Sequence, residues 1–165
     1  METTKNKTTL LIMAAGMGSR FGSLKQLALL GPHKKTLLHY SIYDAVHAGF
    51  DKIVFIIRRS FENEFKEAVG KYAESLVETV YCFQEMDQLP GNLPPIQREK
   101  PWGTAHAIWA AKDHIHEPFI AINADDFYGR DAFVKMHDFV ASNTDERCFS
   151  LAGYRLAATL SENGT

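Results

Sequence analysis

The chain has 165 residues, 45% of them hydrophobic and 23% charged, enough for one domain with a real core and too little for two ordinary ones. Eighteen Lys and Arg against twenty Asp and Glu leave a formal charge of −2 and a pI near 6.4, so the basic excess that drives binding to nucleic acid or anionic lipid is missing. The uninterrupted apolar runs, 10–15 and 53–57, fall far short of the roughly 20 residues needed to span a bilayer. Cys82 and Cys148 lie in separate apolar stretches rather than in a close-spaced framework, which reads as two buried thiols in a reducing cytoplasm.

Apolar runs rich in branched residues alternate with stretches of helical period, the signature of repeated strand and helix units around a mostly parallel sheet. The predicted fold class is α/β: an open, three-layer, mostly parallel sheet with helices on both faces. A strand is predicted at 8–13, then a helix at 36–49, where Leu37, Leu38, Ser41, Ile42, Ala45 and Val46 share one face and Gly49 supplies the stop. Strand 52–57, helix 61–73 and strand 77–83 follow, the last with the mixed polarity of an edge. Residues 84–102 contain Pro90, Gly91, Pro94, Pro95 and Pro101, so they read as a long lid or binding loop. A helix at 104–114, a strand at 119–123, a loop at 124–129, a helix capped by Asp131 and a strand at 148–156 complete the pattern. Asn163-Gly164 is a strong hairpin signal with one residue after it. Residues 1–165 therefore read as the N-terminal part of a longer protein.

Three features carry chemistry. Directly after the first predicted strand stands Ala14-Ala15-Gly16-Met17-Gly18-Ser19-Arg20-Phe21-Gly22, followed by Lys25 and Gln26. Gly16 and Gly18 let the backbone come close to a ligand, and successive N–H groups in such a turn form an anion nest that Arg20 and Lys25 complete with positive charge. The loop lacks the third glycine of the dinucleotide fingerprint and the Gly-Lys-Ser/Thr of the P-loop. The alternative is a tight turn flanked by two surface cations. Asn123-Ala124-Asp125-Asp126 ends an apolar strand, and ligands of open parallel sheets bind outside the carboxyl ends of the strands. A carboxylate opposite an anion nest implies a metal between them, and Mg²⁺ is the natural one, being held by one or two carboxylates with substrate phosphates. The alternative is a capping or solvated turn. In Pro101-Trp102-Gly103-Thr104-Ala105, Gly103 permits close approach by a flat ring. Thr104 is either a helix N-cap or a donor to the base of a nucleotide.

Taken together, and in order along nearly the whole chain, these segments resemble the N-terminal, nucleotide-binding part of the sugar-phosphate nucleotidylyltransferases. The resemblance rests on Ala14 to Phe21 with Lys25 and Gln26, on Gln84 ending a strand, on Gly103-Thr104-Ala105, and on Asn123 to Gly129. It implies that a nucleoside triphosphate and a sugar 1-phosphate give a nucleotide-sugar and pyrophosphate, with Mg²⁺. By position, Ala14, Ala15, Gly16, Gly18 and Ser19 cradle the triphosphate, Arg20 grips its β- and γ-phosphates, and Lys25 steadies charge on the α-phosphoryl group. Asp125 holds the metal. Gln84, Gly103 and Thr104 line the base, with Gln26 close by.

Two departures stand out. The family's proline just before the lysine is replaced here by Leu24, after Ser23. Family members also carry a sugar-binding half and a second metal-ligating aspartate beyond Thr165, so this chain is expected to keep the nucleotide site and turn over poorly. Related readings are a cytidylyltransferase acting on a phosphorylated alcohol, and a non-catalytic nucleotide-binding regulatory domain. His114 and His116, at i,i+2 spacing without a third ligand, read as solvated. Arg58-Arg59 reads as a solvated strand end and Trp109 as core.

Overall fold

The computed structural model describes residues 7–16, 29–91, 102–143 and 145–160. Four strands form one sheet in the order β5-β4-β1-β6: β1 (Thr9–Met13), β4 (Lys52–Ile57), β5 (Glu78–Phe83) and β6 (Phe119–Asn123). All three pairings are parallel, with Thr9 opposite both Lys52 and Phe119, and Lys52 opposite Glu78. Every residue of β4 is buried, as expected of an inner parallel strand covered on both faces. β5 is an edge strand, which accounts for its mixed polarity.

Alternation along β1 and β4 splits the core into two layers. Leu10, Ile12, Ile53, Phe55 and Ile57 point to one face, where α1 (Leu37–Ala48) contributes Leu38, Ile42 and Ala45, and α5 (Arg130–Ser142) contributes Phe133 and Val140. Leu11, Val54 and Ile56 point to the other, against Ala107 and Ala111 at α4 (Thr104–Trp109). Helices thus cover both faces, and the α/β architecture read from the sequence holds. β2 (Leu29–Leu30) and β3 (Lys35–Thr36) add a short antiparallel hairpin with no counterpart in the sequence reading.

Helix α1 shows how closely local chemistry sets an element. Thr36 caps it, the Thr36 N–H donates to His39 Nδ1 at 3.2 Å, and Gly49 ends it with φ at 113°. That left-handed stop is what a glycine allows and a residue with a Cβ resists.

Several boundaries differ from expectation. The helix expected at 61–73 is a composite: a 3₁₀ turn at Arg59–Phe61, α2 (Glu62–Phe65), a π turn at Lys66–Gly70 and α3 (Lys71–Glu74). The wide turn sets Gly70 against the Tyr81 ring of β5, where an added Cβ would lie 2.2 Å from the Tyr81 hydroxyl. The helix expected to run to 114 leaves α geometry at Trp109 and continues as tighter turns, with Ala111 N–H bonded to Ile108 O and Lys112 N–H to Trp109 O. Asp131 is no cap: Gly129 holds that position, and Asp131 sits in the first turn of α5, 2.6 Å from Lys135. The strand expected at 148–156 is absent. Residues 148–155 run without a ladder, exposing Phe149 and Leu151, and lead into a 3₁₀ turn at Leu156–Ala158. A segment rich in apolar residues becomes a strand only when it has a neighbour to pair and pack with. Cys82 is buried as expected, whereas Cys148, on that same segment, is exposed. Among the described residues no helix is long and apolar enough to cross a membrane.

Candidate functional site

The chain moves outward from β1 to β4 to β5, then returns to place β6 on the other side of β1. The order therefore reverses between β1 and β6, and in open α/β sheets ligands bind in the crevice beyond the carboxyl ends at such a point. Met13 and Asn123, the last residues of these two strands, are register partners. The segments that leave them are fastened at once: Ala14 N–H donates to Ile56 O at 2.8 Å, and Ala124 N–H to Met13 O at 3.2 Å. Ala14 and Ala15 are buried and Gly16 is exposed, so the glycine loop emerges from the sheet at Gly16. Gly18, Ser19, Arg20, Lys25 and Gln26 lie outside the described residues.

Across the switch point, the 124–129 loop separates its two carboxylates. Asp126 accepts from Asn123 Nδ2 at 2.8 Å and from the Tyr128 hydroxyl at 3.4 Å, while that hydroxyl accepts from the Asn123 N–H at 2.9 Å. Asp126 is thereby part of the loop's own framework. Asp125 is exposed, and among the described residues nothing donates to it or pairs with it. Nor do three metal-ligating side chains come together among the described residues. The arrangement offers one unengaged carboxylate at the end of β6. That suits a hard cation whose remaining ligands are water and ligand phosphates.

On the opposite flank, Gln84 follows β5 directly, with its N–H bonded to Ile57 O at 3.0 Å. Its side chain is buried and reaches to the start of α4, donating to Trp102 O at 2.8 Å, with Gly103 O at 3.5 Å and His106 Nδ1 at 3.2 Å. The structure thus brings together Gln84 and Gly103, which are far apart in sequence. Gly103 caps α4 through its own carbonyl, which accepts from His106 N–H and Ala107 N–H. Thr104 is therefore not the N-cap; it is exposed, and among the described residues its hydroxyl has no partner. Beside Gly103 an added Cβ would meet no heavy atom of the described residues within 4 Å.

Arg58, set aside in the sequence, and His106, not singled out there, belong to this neighbourhood. Arg58 follows β4, between the ends of β1 and β5; its guanidinium lies over the Phe61 ring at 5.1 Å, and its Nε is buried without a hydrogen-bond partner among the described residues. His106 packs between Trp102 and Trp109, stacked on the latter at 5.6 Å. Trp109 is consequently half-buried against His106 instead of lying in the core. The available signal for His106 was helical spacing: three residues after the cap at Gly103, it returns to the side of α4 that meets Gln84. His114 and His116 are exposed, as read from their spacing.

Comparison with known proteins agrees with this fold. The family model described as Nucleotidyl transferase matches residues 9–158. A UTP–glucose-1-phosphate uridylyltransferase from Bacillus subtilis (strain 168) is 28% identical over an alignment covering 70% of this chain and 43% of the relative. Among solved structures, a UDP-glucose pyrophosphorylase complexed with UDP-glucose superposes with a TM-score of 0.53 at 19% identity, covering 81% of this chain and 53% of the other. A protein from Bacillus anthracis assigned as a glucose-1-phosphate thymidylyltransferase gives 0.59 at 18% identity, with coverages of 80% and 50%. The chain thus spans less than half of that curated relative and about half of these solved chains, and the structural likenesses speak to the fold. With a family match running from β1 through the 3₁₀ turn at Leu156–Ala158, the chain belongs to the nucleotidyl transferase family.

Proposed function

We propose that this chain is the nucleotide-binding part of an Mg²⁺-dependent enzyme that joins a nucleoside triphosphate to a sugar 1-phosphate and releases pyrophosphate. The observation that carries the reading is the placement of Gly16 and Asp125 on either side of the switch point between β1 and β6, in a chain of the nucleotidyl transferase family. The uridylyltransferase relative, named for UTP and glucose 1-phosphate, supports a sugar 1-phosphate as acceptor.

In this reading the backbone of Ala14, Ala15, Gly16, Gly18 and Ser19 holds the triphosphate. Arg20 grips the β- and γ-phosphates, and Lys25 stabilises charge on the α-phosphoryl group. Gln84, Gly103, Thr104 and Gln26 line the base. A sugar phosphate oxygen attacks the α-phosphorus in line, forming the new P–O bond as the bond to the departing pyrophosphate breaks. That oxygen is already ionised at neutral pH, so positioning and charge neutralisation supply the catalysis and no general base is required. The unengaged carboxylate of Asp125 fits Mg²⁺, which when bound neutralises phosphate charge.

Phosphorus-31 NMR of the protein with each nucleoside triphosphate, glucose 1-phosphate and Mg²⁺ tests the reading. The expected result is the paired resonances of a nucleotide-sugar together with pyrophosphate. Triphosphate binding without either product assigns a nucleotide-binding role without transfer, and no binding of any triphosphate overturns the proposal.

A further inference from the structure

The amide of Gln84 can face only one way, and the Trp102 carbonyl and His106 together are the reason. His106 Nε2 lies 2.5 Å from Gln88 O. A carbonyl can only accept, so Nε2 carries the hydrogen, and in a neutral imidazole Nδ1 is then the acceptor. Gln84 Nε2 meets that Nδ1 at 3.2 Å and Trp102 O at 2.8 Å, so both hydrogens of the amide are committed to protein acceptors. Were the amide turned over, Gln84 Oε1 would confront the Trp102 carbonyl and the Nδ1 lone pair, two acceptors against a third. The chemistry of the neighbours therefore fixes an orientation that the shape of the amide alone does not.

We propose that His106 is a positioning residue for base recognition. By accepting from Gln84 alongside the Trp102 carbonyl, it keeps the amino group on protein acceptors and leaves the Gln84 carbonyl oxygen for whatever enters beside Gly103. The inference rests on the nucleotide reading above and deepens it. A base bound there must offer an N–H to Gln84 Oε1, and one offering a ring-nitrogen lone pair at that point is rejected. The network is held from three sides. Trp102 Nε1 donates to Met86 O at 3.0 Å, His106 bonds Gln88 O, and Trp109 stacks on the His106 ring. The segment after β5 and the start of α4 therefore set the amide together.

Two measurements test this. Nitrogen-15 NMR of the ligand-free protein at neutral pH reads the His106 tautomer; hydrogen on Nε2 is expected, and hydrogen on Nδ1 overturns the proposal whatever the protein binds. Dissociation constants for ATP, CTP, GTP, UTP and dTTP are then compared among the native chain, His106→Phe and His106→Asn. The Phe variant keeps the stack on Trp109 without a ring nitrogen, and the Asn variant places an acceptor oxygen near the position of Nδ1. The tightest triphosphate is expected to weaken about tenfold in the Phe variant, the scale of one hydrogen bond. The differences among the five are expected to narrow, and the Asn variant to restore the ranking. Native ranking and affinity in the Phe variant overturn the role of His106 alone. A native chain that binds none of the five removes the functional reading and this inference with it.

Discussion

Asn123 and Asp126 are joined by a 2.8 Å hydrogen bond across the loop that follows β6, and this bond gives the two adjacent carboxylates different jobs. Asp126 is held by Asn123 and Tyr128, whereas Asp125 projects without a partner among the described residues. Asp126→Ala is expected to lower stability by about 1 kcal/mol, the net worth of a typical hydrogen bond, while triphosphate binding still responds to Mg²⁺. Asp125→Asn is expected to leave stability within about 0.5 kcal/mol and to abolish the Mg²⁺ response. In a transfer assay the Asp125 variant should lose about 10²–10³ in rate, the scale of removing one charge-stabilising group. Denaturant unfolding and nucleotide titrations with and without Mg²⁺ check both variants.

At the other end of the sheet, Glu117 anchors a buried cation. Lys52, 8% exposed, donates to His114 O at 2.5 Å and to Glu117 at 2.9 Å, while the Thr9 hydroxyl and the His116 N–H also donate to Glu117. Burial alone would raise the Glu117 pKa, but hydrogen bonds from Thr9, Lys52 and His116, with the Lys52 charge, outweigh it and hold the group at about 2, against an ordinary 4.5. A carboxylate depressed in the folded state contributes stability that is fully present above its unfolded pKa and lost as pH falls through the folded one. Stability should therefore decline between about pH 4.5 and pH 2. Glu117→Gln should flatten that limb and cost about 3 kcal/mol at neutral pH, because Lys52 is left buried and unpaired. Urea unfolding at several pH values checks both; an unchanged acid limb in the variant would contradict the assignment.

Gly70 tests the wide turn at Lys66–Gly70. An added Cβ meets the Tyr81 hydroxyl at 2.2 Å and the ring carbon bearing it at 3.2 Å, and that hydroxyl is tied to Glu74 at 2.7 Å. Gly70→Ala is expected to destabilise by about 1–3 kcal/mol, the usual range for overpacking. Tyr81→Phe removes the nearer atom, so in the Tyr81→Phe background the glycine substitution should cost less. A double-mutant cycle by thermal unfolding measures the coupling, and strict additivity would count against the clash.

What the sequence made legible follows the strength of the local signal. The predicted strands 52–57 and 119–123 coincide with β4 and β6; β4, an inner strand buried throughout, needs a nearly unbroken apolar stretch and tolerates little slippage. Thr36 and Gly49 bound α1 because capping and a left-handed stop are decided by neighbours in sequence. The composite helix around Gly70 was not legible, since the contact of Gly70 with the Tyr81 ring exists only once the sheet has brought β5 alongside. The strand expected at 148–156 failed for the converse reason, a stretch rich in apolar residues that pairs with no strand among the described residues. At the site, Asp125 could be placed at a strand end from the sequence, but its division of labour with Asp126 depends on the folded-back Tyr128. His106 stayed hidden because its importance lies in contacts to Gln84 and Gln88, about 20 residues away in sequence.

The measurement that tests the central claim most directly is thermal unfolding of the native chain with each nucleoside triphosphate, with and without Mg²⁺. A ligand at a hundred times its Kd adds about 2.7 kcal/mol, a shift of about 5–10 °C for a domain of this size. The account predicts that one triphosphate gives such a shift and that Mg²⁺ enlarges it. A cooperative melt that no triphosphate moves, with or without Mg²⁺, would contradict a nucleotide site at the ends of β1 and β6.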